Sequence, residues 1–498
     1  NNTMKETHMM QMSVRQAWAM RPYICVMLAI VLGYILLDIH WGMGEKAVIR
    51  IVMLAGVALC ILYALLYRRS ADRVMLAILT AGVIMRIGYM LYTPYSVRNH
   101  DVGSFDMAGH LAYMYNLFMD ASLPKTNEYE FYHPPFQHIV QAAVVRVFSL
   151  FQTGTALENV FEAAKLVPCF ASSAVLLVGK RICEATGLSN RATALALVVI
   201  AFHPSFYILS ASVNNDSLML LFFLISTLYT IRWYYRPTMK NILMVALAIG
   251  LAMMVKLSGS VAAFFTGPVF LAMMFKMAKR KEVRQLLGQF AAFFAICVPL
   301  ALWYPLRNRL LFQQPFGYVL EISQSSGLYC GGRTIVERFL SFPVRQVFNP
   351  LYCQPYGDYN VWLYTLKCSV FGEFSFEQLP ALAISLILTN LLLIAISLAA
   401  MLYVAVCGKE VNRFARFGLL GIWLVQMVSF LAFNVQYPFG CTMDFRYILP
   451  TAIIGAIYIG IALDRLKRNS TPLARSLYYA GCTAVGLFTV SSVLFYVV

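Results

Sequence analysis

An all-α, multi-pass membrane protein of about 13 transmembrane helices with helical external loops is the fold class this sequence predicts. Three observations predict it. Sixty per cent of the 498 residues are hydrophobic and only 12% are charged, with a mean hydropathy of +0.69, which is more apolar surface than a soluble core can hide. Apolar runs near the ~20 residues needed to cross a bilayer recur from Pro22 onward. Basic residues collect in short turns between those runs, as the positive-inside rule requires. The net charge of +17 therefore orients the chain, and no continuous basic face suggests nucleic acid.

The elements follow in order. Lys5, Arg15 and Arg21 precede a first span at 22–39, and Arg68, Arg69 and Arg73 follow a second at 48–66, so both clusters are expected on the cytoplasmic side. No cleavable signal peptide is expected, because Arg21 leads directly into a spanning run without a small-residue cleavage site. A third span, 74–92, delivers loop 93–135 to the external face. Further cytoplasmic turns are marked by Lys180, Arg181 and Arg191, by Arg232, Arg236 and Lys240, by Lys276 to Arg284, by Lys409 to Arg416, and by Arg465 to Arg475. Parity asks for one crossing between 135 and 180; 161–180 is the better span, and 136–152, which carries His138 and Arg146, reads as an interfacial or re-entrant segment. Regions 212–217, 255–260, 305–380 and 435–447 then also fall outside, with the N-terminus inside and the C-terminus outside. The expected divisions are 1–92, the N-terminal tail and first three spans; 93–152, an external catalytic loop with interfacial helices; 153–304, a transmembrane bundle; 305–380, an external loop region; and 381–498, C-terminal transmembrane helices.

The external regions share a chemistry. Loop 93–135 holds Asp101, Asp106, His110, Glu128, Glu130 and His133; the turn at 214–217 reads Asn-Asn-Asp-Ser; Lys256 sits in Lys-Leu-Ser-Gly at a span end; Arg307 and Arg309 follow Tyr304; and the last outer turn reads Asp444-Phe445-Arg446-Tyr447. Acids and bases from distant stretches are thus expected on one membrane face, where ionisable groups usually mark chemistry or transport.

These motifs carry a resemblance. HDVGSFD at 100–106, Leu123-Pro124, YHPPF at 132–136, HPSF at 203–206, NNDSL at 214–218, KLSG at 256–259, YPLRN at 304–308 and FRYILP at 445–450 resemble, in order and spacing, the GT-C glycosyltransferases. The nearest likeness is to the bacterial branch related to protein O-mannosyltransferases and lipid A aminoarabinose transferases, and it extends over roughly 80–450. It implies a GT-C fold and an enzyme moving a sugar from a polyprenyl-phosphate donor to a glycan, lipid or protein acceptor outside the cytoplasmic membrane. It also implies that an acid at the start of the first external loop is the catalytic base, at Asp101. Asp106 is the second choice, because the family often has another acid or polar group within the same loop; this chain departs from the pattern in having Asp-Val-Gly where relatives often have Asp-Glu.

The chemistry can be stated from the residues as well. An acceptor hydroxyl attacking an anomeric carbon must lose a proton, and one carboxylate suffices to take it. The leaving phosphate needs positive charge more than it needs an acid, for which Lys256, Arg307, Arg309 and Arg446 are suited. His133, Asn215, Asp216 and Tyr447 complete the expected substrate-binding set. Single displacement implies inversion, whereas a glycosidase would want two flanking carboxylates. Each residue also has a plainer reading. Asp101, Asn215 and Asp216 can cap helices, Lys256 can snorkel to headgroups, Arg307 and Arg309 can anchor an interface, and His133 can be a loop histidine stiffened by Pro134 and Pro135.

No cofactor is called for. His110, His133, Asp101 and Asp106 match no metal signature, so metal-independent catalysis is expected, with a divalent metal left open. Cys25, Cys60, Cys169, Cys297 and Cys482 read as buried hydrophobes, while Cys330, Cys353, Cys368 and Cys441 are expected outside and able to pair, Cys330 with Cys353 among the options. Tyr329, Tyr352, Tyr356, Tyr359, Trp362 and Tyr364 suit either sugar stacking or an interfacial belt. The chief alternative to an enzyme is a transporter or flippase of a lipid-linked or anionic glycan, which would spread its charges through mid-membrane segments of repeated halves.

Overall fold

The computed structural model describes residues 46–98, 109–127, 129–151, 160–278 and 283–498. The first expected span, 22–39, lies outside the described residues, as do Cys25, Asp101, Asp106 and Glu128. The described residues form α1 (Lys46–Leu66), α2 (Ala71–Tyr92), α3 (His110–Asp120), α4 (Phe136–Ser149), α5 (Leu166–Ala185), α6 (Asn190–Phe202), α7 (Pro204–Ser210) and α8 (Asp216–Tyr235). They continue with α9 (Met239–Val255), α10 (Val261–Ala278), α11 (Val283–Phe312), α12 (Val361–Phe371), α13 (Pro380–Cys407), α14 (Leu419–Gln436), α15 (Leu449–Arg468) and α16 (Pro472–Val497). The all-α, multi-pass fold is as the composition required.

Ten helices among the described residues are long and apolar enough to cross a membrane, or up to eleven with the bent pair α6 and α7 as one span. The expected count of about 13 is not reached by this measure, for two local reasons. The first expected span is not described, and α9 has only 17 residues, a length of ~26 Å at 1.5 Å per residue. Between 135 and 160 the chain makes the 14-residue helix α4, too short to span by itself.

The helices start where the chain offers caps. Ser189, Thr238, Asn360 and Thr471 each accept a hydrogen bond from a backbone N–H in the first turn of the helix that follows. Pro380 and Pro472 occupy first-turn positions, where a missing N–H costs nothing. Pro204 does the same for α7 and also ends α6: the preceding His203 is held extended, at φ −78° and ψ 122°, and the two helices meet at 50°.

That break is stabilised by an arginine inside a span. Arg86 of α2 is fully buried. Its Nη1 donates to the Gly82 and Ala201 carbonyls at 2.8 and 2.9 Å, its Nη2 to the Ile200 carbonyl at 3.0 Å, and its Nε to Ser172 Oγ at 3.0 Å. The end of α6 no longer has all its carbonyls paired within the helix, and the guanidinium of α2 supplies the donors. A second anchor closes the same end of α2, where the Lys165 ammonium donates to the Met90 and Thr93 carbonyls, both at 2.7 Å, and pairs with Glu162 at 2.5 Å. Beyond it, Arg98 Nε donates to Tyr89 Oη at 2.7 Å. The chain is therefore tied down to within three residues of Asp101.

Arg86→Met is expected to destabilise the detergent-solubilised protein by roughly 2–4 kcal/mol, because several buried carbonyls lose their donor at once. Thermal unfolding of the purified variant is the check, and a melting temperature equal to that of the parent would refute the anchoring role.

Candidate active site

The site is assembled from helix ends. At the start of α8, Asn214 Oδ1 accepts the Asp216 N–H at 3.2 Å, so Asn214 provides the cap. Asn215 does not cap with its side chain; its Nδ2 donates to the carbonyl of Val255, the last residue of α9, at 3.4 Å. The Asp216 carboxylate stays in the first turn, where the partial positive charge of a helix N-terminus favours an anion. At Lys256 the chain leaves α9 in extended form, φ −157° and ψ 132°, then turns at once: a Cβ on Gly259 would lie 2.7 Å from the Ala252 carbonyl carbon, so the turn requires glycine. This geometry brings Lys256 Nζ to 2.6 Å from Asp216 Oδ1.

The segment before α15 meets the same carboxylate. Asp444 Oδ1 accepts the Arg446 N–H at 3.0 Å, and its Oδ2 lies 3.3 Å from Arg446 Nε. Arg446 Nη1 lies 3.6 Å from Asp216 Oδ2. Asp216, Lys256, Asp444 and Arg446 are all buried. Among the described residues, two cations and two carboxylates thus form one cluster, and buried charges must be paired in this way. The Lys256 ammonium also lies 5.0 Å from the centre of the Tyr447 ring, within cation–π range.

Beside the cluster is a cavity of about 390 Å³. Lys256, Tyr447, His133 and Glu130 line its polar part, and Val261, Leu320, Phe430 and Phe433 are among its apolar residues. The segment 130–133 that lines it is held by aromatic contacts: the Tyr113 and Tyr304 hydroxyls share a hydrogen bond at 2.7 Å, Tyr304 Oη donates to the Phe131 carbonyl at 2.6 Å, and Tyr132 meets Tyr318 edge-on at 5.4 Å.

The expected site residues separate into groups. His133, Lys256 and Tyr447 line the cavity. Asn215, Asp216 and Arg446 stand behind Lys256 and Tyr447 and hold them. Arg307 is spent on the loop: its Nη2 donates to the Pro124 carbonyl at 2.7 Å, and its Nη1 to Asn308 Oδ1 at 2.9 Å. Arg309 is exposed and donates to the Gln313 carbonyl at 3.0 Å. Neither arginine lines the cavity.

One grouping was not expected from spacing. His110, Glu130 and His133 bring ligand atoms within 4.8 Å of one another, a donor set suited to a divalent cation. His133 Nε2 lies 2.9 Å from Glu130 Oε2. His110 Nδ1 lies 3.0 Å from His138 Nε2, and burial, reinforced by the two neighbouring imidazoles, pushes His138 well below the usual histidine pKa. His138 is therefore a neutral hydrogen-bonding support behind His110. Helix α3 carries His110 back over the 130–138 segment, so the three donors meet despite the wide spacing.

Asp216→Asn is expected to cost roughly 3–5 kcal/mol of stability, because it leaves two buried cations facing one carboxylate. The double variant Asp216→Asn/Lys256→Met should recover part of that loss in thermal unfolding. Additive effects would mean that the two side chains do not interact.

Residues 125–307 match the family described as dolichyl-phosphate-mannose-protein mannosyltransferase. Among solved structures, the chain is similar to the Archaeoglobus fulgidus oligosaccharyltransferase tethered with an acceptor peptide, with a TM-score of 0.48 and 15% identity over 84% of this chain and 55% of that one. It is also similar to ArnT from Cupriavidus metallidurans, with a TM-score of 0.37 and 14% identity in the apo state over 80% of each chain, and a TM-score of 0.34 and 15% identity in the structure bound to undecaprenyl phosphate. The chain spans only about half the length of the oligosaccharyltransferase. Comparison with curated proteins gives no match. The glycosyltransferase resemblance read from the motifs is borne out by the family match over 125–307, a stretch that holds His133, Asn215, Asp216, Lys256 and Arg307.

Proposed function

We propose that this chain is a membrane glycosyltransferase that moves a sugar from a polyprenyl-phosphate donor to a hydroxyl of a protein, lipid or glycan acceptor on the external side of the cytoplasmic membrane. The observation that carries this reading is the mixed lining of the cavity, an ammonium, a tyrosine and a His–Glu pair together with branched and aromatic side chains. A phosphate head on an apolar tail needs both kinds of lining. The family name supports the donor class, a sugar on a polyprenyl phosphate.

In this reading Lys256 is the cation for the donor phosphate. Asp216 takes one of its hydrogen bonds, and an ammonium has three donors. Arg446 and Asp444 fix Asp216 and Tyr447 and so hold the ammonium in place. Asp101 is the general base that takes the acceptor proton, Asp106 is the second carboxylate, and the anchored segment ending at Arg98 delivers that loop. His133 and Glu130 hold sugar or acceptor hydroxyls. Displacement is direct and inverts the anomeric centre. The five divisions of the chain then correspond to a leading set of spans, a catalytic loop, a core bundle, a loop region closing the cavity and a closing set of spans.

Purified protein incubated with a panel of lipid-phosphate sugars should yield a glycosylated acceptor by mass analysis, and Asp101→Asn should cut turnover by roughly 100-fold or more while keeping donor binding. Lys256→Met should weaken donor binding. Transfer with retained configuration would overturn direct displacement, and transport of a lipid-linked glycan without transfer would favour a flippase. Chelation with EDTA should leave the rate within about twofold, since Lys256 supplies the positive charge. A larger loss restored by manganese or zinc would assign His110, Glu130 and His133 as metal ligands.

A further inference from the structure

The strap from Pro350 to Asp358 and helix α12 form a small buried seam, within electrostatic reach of Asp444 and Glu373. Cys353 and Cys368 lie in it, both buried. Their sulfurs are 3.0 Å apart, nearer than two sulfurs sit in ordinary packing. Cys330, another of the external candidates, faces Arg338 instead. Burial, with the Asp444 and Glu373 carboxylates adding to it, raises both thiols of the close pair above the ordinary range, so in the reduced state each is a neutral group held against the other.

The surroundings hold the two backbones in place. Lys367 Nζ donates to the Pro350 carbonyl at 2.8 Å, and the Gln354 N–H donates to Asp358 Oδ2 at 2.9 Å. The strap presses on the cavity wall: a Cβ on Gly440 would lie 2.1 Å from the Pro355 carbonyl oxygen, and Gly440 is flanked by Phe439 and Cys441, which line the cavity. Helix α12 reaches the same wall through Thr365 Oγ1, which donates to the Met443 carbonyl at 2.9 Å. A bond between Cys353 and Cys368 would lock the two supports of that wall to each other.

We propose that Cys353 and Cys368 form a disulfide that clamps the 350–358 strap onto α12 and fixes the cavity wall at 439–443. The inference rests on the reading of this region as external, where an oxidising compartment permits such a bond. The bond forms by exchange with an oxidised dithiol–disulfide carrier before the seam closes. One thiolate attacks the carrier disulfide, giving a mixed disulfide and one carrier thiol; the second cysteine thiolate displaces the other carrier thiol. Two cysteine thiols are oxidised and one carrier disulfide is reduced to two thiols. Once packed, the bond is shielded from external reductant by its burial.

The full-length protein, alkylated in intact cells and digested with trypsin without reductant, tests this. Lys367 separates the two cysteines, so the disulfide joins peptide 346–367 to peptide 368–409. The expected result is that cross-linked species, with fragment ions placing the bond at Cys368 and not at Cys407. In Cys368→Ser, Cys353 should become alkylatable after denaturation. Both thiols alkylated in the denatured parent protein would overturn the proposal, as would a bond from Cys353 to Cys330. A separate variant tests the premise: Tyr356, 75% exposed, replaced as Tyr356→Cys should react with a membrane-impermeant maleimide from outside the cell. Labelling with free Cys353 and Cys368 defeats the disulfide alone, whereas failure to label together with free thiols defeats the external placement and the disulfide with it.

Discussion

The arrangement turns on one carboxylate. Asp216 receives Lys256 on one oxygen and faces Arg446 on the other, and through them the start of α8, the end of α9 and the entry to α15 become one unit. Desolvating such charges costs several kcal/mol for each ion, and only mutual pairing makes the cluster tolerable. A buried ion cluster is weak as a source of stability and strong as a source of position, because each member is costly to bury unless it keeps its paired geometry. Its effect here is to hold an ammonium and a tyrosine in the lining of a cavity that also carries branched and aromatic side chains.

Around that centre the protein repeatedly uses long cations to bind backbone carbonyls. Arg86 serves the break between α6 and α7, Lys165 the end of α2, Arg307 the loop at Pro124, and Arg338 the Asn434 carbonyl at 2.8 Å. Each sits where a helix ends or a loop lies flat, the places where carbonyls lack helical partners. Several of the positive charges therefore have structural duties, and fewer are left for a substrate phosphate than the basic composition suggested.

Most of the fold was legible because hydropathy and basic turns report span positions directly. The chemistry was legible one residue at a time: a charged side chain at the end of an apolar run is conspicuous, which is how Lys256, Asp216 and Arg446 were found. Their mutual pairing was not legible, since 40 residues separate Asp216 from Lys256 and 230 separate it from Arg446, and only packing decides which helix ends touch. The same limit hid the duties of Arg307, whose partner Pro124 lies in another loop. Arg86 escaped notice for a different reason, because a single charge vanishes in the average hydropathy of span 74–92. His110 joined Glu130 and His133 only through the fold-back of α3, and Cys353 met Cys368 only because the strap lies on α12. Asp101 and Asp106 rest on their place in the motif alone.

Arg86 also bears on how such a chain is made. Its acceptors at Ile200 and Ala201 are translated more than a hundred residues after it, so α2 enters the bilayer as a charged helix lacking those partners. A lone arginine at mid-bilayer costs roughly 2.5–3.5 kcal/mol on insertion scales, which an apolar segment of 22 residues can bear only in part. The carbonyls that solvate the guanidinium in the finished fold are supplied only once α6 has been made. The bend at Pro204, seen in the finished protein as a packing detail, thus ties the solvation of a charge in α2 to a segment made more than a hundred residues later.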